Sequence, residues 1–214
     1  MNEFAMFLQE NLGEHEPKEI EELILDDLFK DCDELTEEHK IALEQYSNLI
    51  HLSINGLGLK TLKNFPCIPN LYILQVKNNK LSGEDFDEIL KLYPGLYKLK
   101  VSNNLIESIN VFAPLEKSKI KKIEIEDNPV NKNEKYREEL FNIMPNLISI
   151  NREKRDGEVL ESTIYNEVSE NSDEDDYDGE EEEYEEKEDE NDEEESFGDE
   201  DEEDDWLSFY ISLF

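Results

Sequence analysis

Residues 71–81 of the chain read LYILQVKNNKL. Counted from Leu71, apolar side chains occupy positions one, four, six and eleven, and asparagine occupies position nine. The same arrangement returns in residues 96–106, LYKLKVSNNLI, and in residues 120–130, IKKIEIEDNPV, so the three copies start 25 and 24 residues apart. Recurrence at a nearly fixed period indicates a repeat protein, in which each copy forms one structural unit stacked on the next.

The order of residues within the copies identifies the kind of repeat, because leucine-rich repeats have this period and this pattern of apolar residues and asparagine. A further copy in residues 49–59, LIHLSINGLGL, has Leu57 at the asparagine position, and degenerate copies begin at Ile20 and Leu147. Each copy supplies one short strand, and stacked copies form a parallel sheet. The predicted fold is an α/β leucine-rich-repeat solenoid with a parallel sheet on its concave face and repeats starting near residues 20, 49, 71, 96 and 120.

Both ends of the series carry segments that suit a capping role. Residues 2–12 place apolar side chains at helical spacing, which predicts an N-terminal capping helix. Residues 134–151 contain a short helical pattern closed by Pro145, which predicts a C-terminal cap over the last repeat. We therefore expect a leucine-rich-repeat domain in residues 1–155, followed by a tail in residues 156–214.

The recurring asparagines, Asn79, Asn104 and Asn128, have a predicted structural role. A buried side-chain amide can both donate and accept hydrogen bonds, so it can satisfy backbone groups in the turn after each strand. The segments that return between strands, such as residues 86–93, have apolar residues at helical spacing. We expect these segments to pack on the convex side.

Alternate residues of each predicted strand point away from the core and form the concave face. Because neighbouring strands lie ~4.8 Å apart, we expect Lys98 beside Lys122 and Lys100 beside Glu124. Together with Lys77, these lysines would form a basic patch able to hold the acidic tail; the alternative is a solvated face of mixed charge. The candidate protein-binding residues of the concave face are Glu22, Asp26, His51, Asn55, Lys77, Lys98, Lys100, Lys122, Glu124 and Glu126.

Charge is distributed unevenly along the chain. Its 58 Asp and Glu against 21 Lys and Arg give a net charge of −37, and residues 161–214 alone hold 28 acidic residues and one basic residue, Lys187. Residues 1–40 carry a net charge of −11 and residues 41–160 a net charge of +1. A tail of this composition cannot bury enough apolar surface to order itself, so it is predicted to be disordered. Its charge disfavours direct nucleic-acid binding and favours basic proteins as partners, the alternative being a solubilising brush.

Three features of the tail are candidates for function. Ser172 and Ser196 each precede an acidic residue at the third following position, which suits an acidophilic kinase. Residues 206–214 read WLSFYISLF and would dock on a partner or fold back onto the solenoid, unless they have no role. The candidate residues for binding a basic partner are Asp173, Glu174, Asp175, Asp176, Glu180, Glu181, Glu182 and Glu183.

No residue pattern in the sequence points to catalysis, a cofactor or a metal. Cys32 and Cys67 are isolated, and His15, His39 and His51 have no clustered ligands. No Ser-His-Asp, paired-carboxylate or glycine-rich phosphate motif stands out. The first residues lack the features of a signal peptide, and no stretch approaches the ~20 apolar residues of a membrane span. We expect an intracellular, monomeric protein that is not an enzyme and does not contact a membrane.

Several short stretches narrow the class of leucine-rich-repeat protein. They are the cap motif Tyr136-Arg137…Pro145-Asn146-Leu147 and the segments Leu23–Asp26, Ser53–Leu59 and Asn78–Gly83. Together with the repeats and the acidic tract, they resemble the acidic leucine-rich nuclear phosphoprotein 32 family. The resemblance implies a non-enzymatic regulator that binds histones as a chaperone or acetylation-blocking factor, inhibits a type-2A phosphatase, and shuttles between nucleus and cytoplasm. Unlike many members of that family, the chain has no Lys/Arg-rich localisation signal after Lys187.

A second function fits the repeats without the tail. The repeats and the cap also occur in other nuclear and cytoskeletal leucine-rich-repeat proteins. The alternative prediction is therefore a scaffold or adaptor subunit of a nuclear ribonucleoprotein or of a phosphatase complex. In that case the acidic tail would be incidental to binding.

Overall fold

The computed structural model describes residues 3–13, 15–28, 31–160 and 208–210. Residues Met1–Glu161 together with Trp206–Phe214 form one compact unit, and Ser162–Asp205 form a second. All elements of secondary structure in the described residues belong to the first unit.

The helices are α1 (Glu3–Leu12), α2 (Glu37–Leu43), α3 (Asp87–Leu92) and α4 (Tyr136–Ile143), with 3₁₀ turns at Ile109–Leu115 and Pro129–Lys132. The strands are β1 (Glu22–Ile24), β2 (His51–Ser53), β3 (Ile73–Gln75), β4 (Lys98–Lys100), β5 (Lys122–Glu124), β6 (Ser149–Ile150), β7 (Glu153–Lys154) and β8 (Ser208–Tyr210).

The strands form one sheet in the order β7-β6-β5-β4-β3-β2-β1-β8. Strands β1 to β6 pair in parallel with their neighbours, β8 adds in parallel to β1, and β6 and β7 pair antiparallel. The order follows the chain because each repeat buries its apolar residues against the repeats before and after it. The predicted leucine-rich-repeat solenoid is confirmed.

The core is a column of apolar side chains at the centres of successive strands. The strand register places the central residues side by side, and none of them is more than 1 % exposed. Removing these side chains from water is the main favourable term in holding one repeat on the next. The five central residues are Leu23, Leu52, Leu74, Leu99 and Ile123.

The turn after each strand is built around the repeated asparagine, as the sequence predicts. The Asn104 side chain is buried; its Oδ1 accepts from the Leu81 N–H at 3.0 Å, and its Nδ2 donates to Val76 O at 2.9 Å and Val101 O at 3.0 Å. Asn79 and Asn128 are buried in the same way and also bridge backbone groups of neighbouring repeats. The amides therefore satisfy backbone groups that would otherwise be buried without partners.

The residue just before this asparagine position has a left-handed backbone in each of the five repeats. Its φ lies between 53° and 74°, a region that Gly, Asn and Asp tolerate better than other residues. The alternation of Asp, Gly and Asn at this position therefore reflects backbone geometry and not binding chemistry. The residues are Asp27, Gly56, Asn78, Asn103 and Asp127.

Both predicted capping helices are present. Helix α1 buries Phe4, Leu8 and Leu12 and packs against α2. At the other end α4 follows the last full repeat, and Arg137 donates through Nη1 to Ile150 O at 2.8 Å. The hydroxyl oxygen of Tyr136 accepts from Asn151 Nδ2 at 3.1 Å. The Tyr-Arg pair of the cap motif therefore ties α4 to the chain around β6.

Two parts of the predicted tail differ from the sequence-based expectation. Backbone hydrogen bonds continue beyond residue 155, because Lys154 N–H donates to Glu158 O and Leu160 N–H to Arg152 O, both at 2.7 Å. Ser208–Tyr210 form strand β8, so the prediction of a disordered tail is wrong for these three residues. The sequence 206–214 is a short run rich in aromatic and aliphatic residues with two serines, a composition that favours a strand. The prediction of disorder for residues 161–207 and 211–214 lies outside the described residues.

Candidate protein-binding site

The parallel register brings the predicted concave-face residues into rows that cross the sheet. Lys98 is the register partner of Lys122, and Lys100 that of Glu124, as expected from the strand spacing. The first row contains Glu22, His51, Ile73, Lys98, Lys122 and Ser149. The second row contains Ile24, Ser53, Gln75, Lys100 and Glu124.

The end of the face near β1 and β2 is a hydrogen-bonded network around a carboxylate. Asp26 Oδ1 accepts from Ser53 Oγ at 2.6 Å and from the Asn55 N–H at 3.0 Å, and its Oδ2 accepts from Asn55 Nδ2 at 2.8 Å. Asn55 Oδ1 in turn accepts from the Lys77 N–H at 2.6 Å. This network gives the carboxylate fixed partners, so Asp26 and Asn55 present a rigid polar surface.

His51 lies between two polar side chains from neighbouring strands. Its Nδ1 contacts the Glu22 carboxylate, and its Nε2 contacts the Gln75 side-chain amide. Both ring nitrogens are therefore engaged. His51 looks isolated in the sequence because its partners are 29 and 24 residues away along the chain.

The end of the face near β4 and β5 is a cluster of lysines around one carboxylate. Lys77 Nζ lies 2.8 Å from Glu124 Oε2, while Lys98 Nζ and Lys100 Nζ lie 3.4 Å and 4.0 Å from Glu124 Oε1. The Lys98 side chain is only 7 % exposed. The predicted basic patch is thus partly neutralised by Glu124, which the sequence analysis placed beside it without assigning it this role.

The lysines lower the pKa of the Glu124 carboxyl by more than burial raises it. Burial alone would raise its pKa, but the hydrogen bond from Lys77 and the charges of Lys100, Lys77 and Lys98 lower the pKa below its usual range. Glu124 is therefore ionised at neutral pH and shares its charge among three ammonium groups. The four side chains together carry a net charge of +2.

An aromatic pair that the sequence analysis missed lies beside this cluster. The rings of Tyr72 and Tyr97 stack with centroids 4.6 Å apart and planes 5° from parallel, and Lys122 Nζ lies 5.5 Å from the centroid of the Tyr97 ring. The signal was available, because both tyrosines occupy the second position of their repeats. The pair adds a stacking and cation–π surface next to the lysines.

The remaining predicted residues are placed as follows. Glu126 is exposed at the end of β5, and Ser102, its neighbour on the face, has a buried hydroxyl with no hydrogen-bond partner among the described residues. The candidate acidic residues of the tail and the candidate phosphorylation sites Ser172 and Ser196 lie outside the described residues. The role of the concave-face residues in binding stays a prediction.

Among the described residues, no set of three or more His, Cys, Asp or Glu side chains is arranged to hold a metal ion. Burial and the neighbouring acidic residues raise the pKa of the Cys32 thiol, although its hydrogen bond to Glu34 O opposes this shift, so the thiolate is disfavoured. No helix in the described part of the chain is long and apolar enough to cross a bilayer.

Fold and face together define a leucine-rich-repeat protein with a polar, mixed-charge concave sheet. No protein-family profile matches the chain. An acidic leucine-rich nuclear phosphoprotein 32-related protein of Plasmodium falciparum is 34 % identical over 153 residues, which cover 70 % of this chain and 54 % of the relative. The acidic leucine-rich nuclear phosphoprotein 32-related protein 1 of Caenorhabditis elegans is 30 % identical over 178 residues. The match covers 81 % of this chain and 74 % of the relative. The chain belongs to the acidic leucine-rich nuclear phosphoprotein 32 family, which confirms the resemblance.

A solved structure supports the fold. The structure of the Drosophila melanogaster SNF/U2A' complex contains a chain that superposes with a TM-score of 0.52 and 22 % identity, covering 60 % of this chain and 72 % of that one. This similarity shows the leucine-rich-repeat fold alone. Because the chain spans only about half the length of the Plasmodium relative, the activity and partners of the whole protein are matters for proposal.

Proposed function

We propose that the protein binds basic proteins, core histones first, and that it acts as a non-enzymatic chaperone or regulator. The observation that carries this proposal is the charge of residues 161–214, which hold 28 acidic residues and one basic residue. On a fully extended chain of ~3.4 Å per residue, the 45 residues 161–205 would present one carboxylate about every 5.5 Å. A basic partner would release counterions from such a polyanion, so binding would weaken steeply with salt.

The concave face has a separate role in this proposal, which is selectivity. One end of the face presents the Asp26 and Glu22 carboxylates, and the other presents the Lys77, Lys98 and Lys100 ammonium groups around Glu124. A partner would have to place its own charges in matching order along the sheet, because like charges facing each other are unfavourable. The acidic segment would supply attraction at long range, and the face would discriminate between basic partners.

The names of the relatives support a nuclear role. Both curated relatives described above are named as related to nuclear phosphoprotein 32. We propose that this protein also works in the nucleus, passes through the cytoplasm, and is phosphorylated at Ser172 or Ser196. Phosphate at either position would add charge to the acidic segment and strengthen its attraction for a basic partner. Inhibition of a type-2A phosphatase is the part of the proposal that rests on family membership alone.

A histone pull-down across a salt series tests the proposal. Three proteins are compared: the full chain, a chain truncated after residue 160, and a full-length variant in which the acidic residues of 161–205 are replaced by Asn and Gln. We expect the full chain alone to retain core histones at 150 mM salt and to lose them steeply by about 500 mM. The variant with Asn and Gln separates the effect of the tail's charge on histone binding from the effect of its length, because it keeps the whole chain including strand β8.

Two results would contradict the proposal. Equal retention of histones by the full chain and the variant with Asn and Gln would show that charge in the tail does not bind them. Failure of the full chain to bind histones at low salt would exclude them as partners. A discrete protein complex that survives truncation would instead favour the scaffold or adaptor function.

A further inference from the structure

Strand β1 has an edge that the repeats themselves do not pair. The Leu25 N–H donates to Ser53 O at 2.8 Å, and Glu21 O accepts from the His51 N–H at 3.0 Å, so these residues direct their backbone groups toward β2. Successive residues of a strand direct their N–H and C=O groups to opposite edges. The backbone groups of Glu22 and Ile24 therefore face the other side of the sheet, where no further repeat exists among the described residues.

Strand β8 lies at this edge. It pairs in parallel with β1, and its register places Ser208 beside Glu22, Phe209 beside Leu23 and Tyr210 beside Ile24. An unpaired strand edge exposes backbone groups that readily accept an additional strand. The sequence around β8 fits this use, because residues 206–214 are rich in the aromatic and aliphatic residues that favour strands.

The length of the intervening chain permits this pairing within one molecule. The sheet order separates β7 from β8 by seven strand spacings, or about 34 Å at ~4.8 Å per spacing. Fully extended, the 47 residues 161–207 would reach about 160 Å at ~3.4 Å per residue, several times this distance. A segment tethered in the same chain acts at an effective concentration that a separate copy reaches only at high protein concentration. Intramolecular docking is therefore favoured over docking by a second copy.

We infer that the β1 edge is a docking site for an extended strand, and that the occupant is this chain's own C-terminal segment around Ser208–Tyr210. The segment closes the sheet beyond the first repeat by adding a parallel strand to β1. This role goes beyond the proposed binding of basic proteins and does not depend on it.

Amide hydrogen exchange on the full-length chain tests the docking site. Phe209→Pro removes the N–H of the central residue of β8, which the alternation described above directs at β1, and proline is poorly tolerated within a paired strand. We expect the Glu22 and Ile24 amides to exchange at least about tenfold faster than in the wild type, while those of Val76 and Val101 keep their rates. Ser196→Pro is the matched control, because it introduces the same residue outside β8. Unchanged exchange at Glu22 and Ile24 in Phe209→Pro would overturn the inference.

A peptide added in trans provides the second measurement. A labelled peptide of residues 201–214 should bind the Phe209→Pro chain and restore protection of the two amides. Wild-type chain, in which the edge is occupied, should bind the peptide at least about tenfold more weakly. Equal binding to both chains, or binding to neither, would contradict a specific edge site. A wild-type protein that keeps protection but sediments as a dimer would show that a second copy supplies the strand, which would overturn the intramolecular assignment.

Discussion

At the scale of single residues, Glu124 is the carboxylate around which three lysines of the concave face gather. Its carboxylate is 15 % exposed and contacts Lys77, Lys98 and Lys100. We expect Glu124→Gln to lower the free energy of unfolding by about 3 kcal/mol at pH 7, because it leaves three ammonium groups without their counter-charge. Glu126→Gln, the same change on an exposed residue of the same segment, should alter stability by less than about 0.5 kcal/mol.

The pH dependence of the Glu124→Gln effect follows from the lowered pKa of Glu124. A carboxyl whose pKa is lower in the folded than in the unfolded protein stabilises the fold above its unfolded pKa of about 4.3. That contribution is lost as the pH falls through the folded value. Urea unfolding should therefore show the same difference between wild type and variant at pH 7 and pH 5, and a smaller one below about pH 4. A difference that is constant down to pH 2 would contradict the assignment.

Asn104 illustrates the structural use of a polar residue in the core. Its side chain contacts the Leu81 N–H and carbonyl groups of Val76 and Val101, all buried. We expect Asn104→Ala to lower the free energy of unfolding by about 3 kcal/mol or more, because these backbone groups lose their partner away from water. Exposed Asn110, whose side chain lies at the surface of a 3₁₀ turn, provides the control Asn110→Ala. Chemical denaturation that finds equal losses for both variants would exclude the role of Asn104.

At the scale of elements, helix α1 determines whether the first repeat is stable. Leu8 of α1 is fully buried, whereas Met6 on the same helix is 49 % exposed. We expect Leu8→Ala to cost about 3 kcal/mol and Met6→Ala less than about 0.5 kcal/mol. Because each repeat contacts mainly its neighbours, the loss should be local. Hydrogen exchange should accelerate at Leu25 and Asp27 in Leu8→Ala, with little change at Val101. Uniform acceleration along the solenoid would show instead that the unit unfolds as a whole.

The elements also show what the sequence can and cannot predict. The helical spacing of apolar residues sufficed for both caps. The repeat period sufficed for strands β1 to β6 and their register, because each repeat has the same local pattern and stacks on its neighbour. It also sufficed for the buried role of Asn104, which recurs at a fixed position. Contacts such as His51 with Glu22 and Gln75 depend on side-chain rotamers across neighbouring repeats, which no single repeat specifies. Strand β8 is not part of the repeat series, so the sequence pattern does not show which strand it pairs with. Its position next to β1 is known only from the structure.

At the scale of the whole molecule, the separation of charge determines how a basic partner should bind. Residues 41–160 carry a net charge of +1, while residues 161–214 carry 28 acidic residues and one basic residue. If attraction comes from the polyanion as a whole, the salt dependence of binding scales with the number of carboxylates that release counterions. A discrete acidic motif would instead lose its binding when that motif alone is neutralised.

Partial neutralisation of the acidic segment distinguishes these two modes. The variant replaces with Asn or Gln the eight candidate residues Asp173, Glu174, Asp175, Asp176, Glu180, Glu181, Glu182 and Glu183, out of 28 acidic residues in residues 161–214. In fluorescence anisotropy with core histones between 100 and 400 mM salt, the slope of log K against log salt should fall by about three tenths, in proportion to the charge removed. Glu107→Gln, a single change at an exposed residue outside the strands and the acidic segment, should leave that slope nearly unchanged. Complete loss of the salt dependence in the eightfold variant would assign binding to this one cluster, because a polyanion responds in proportion to its remaining charge.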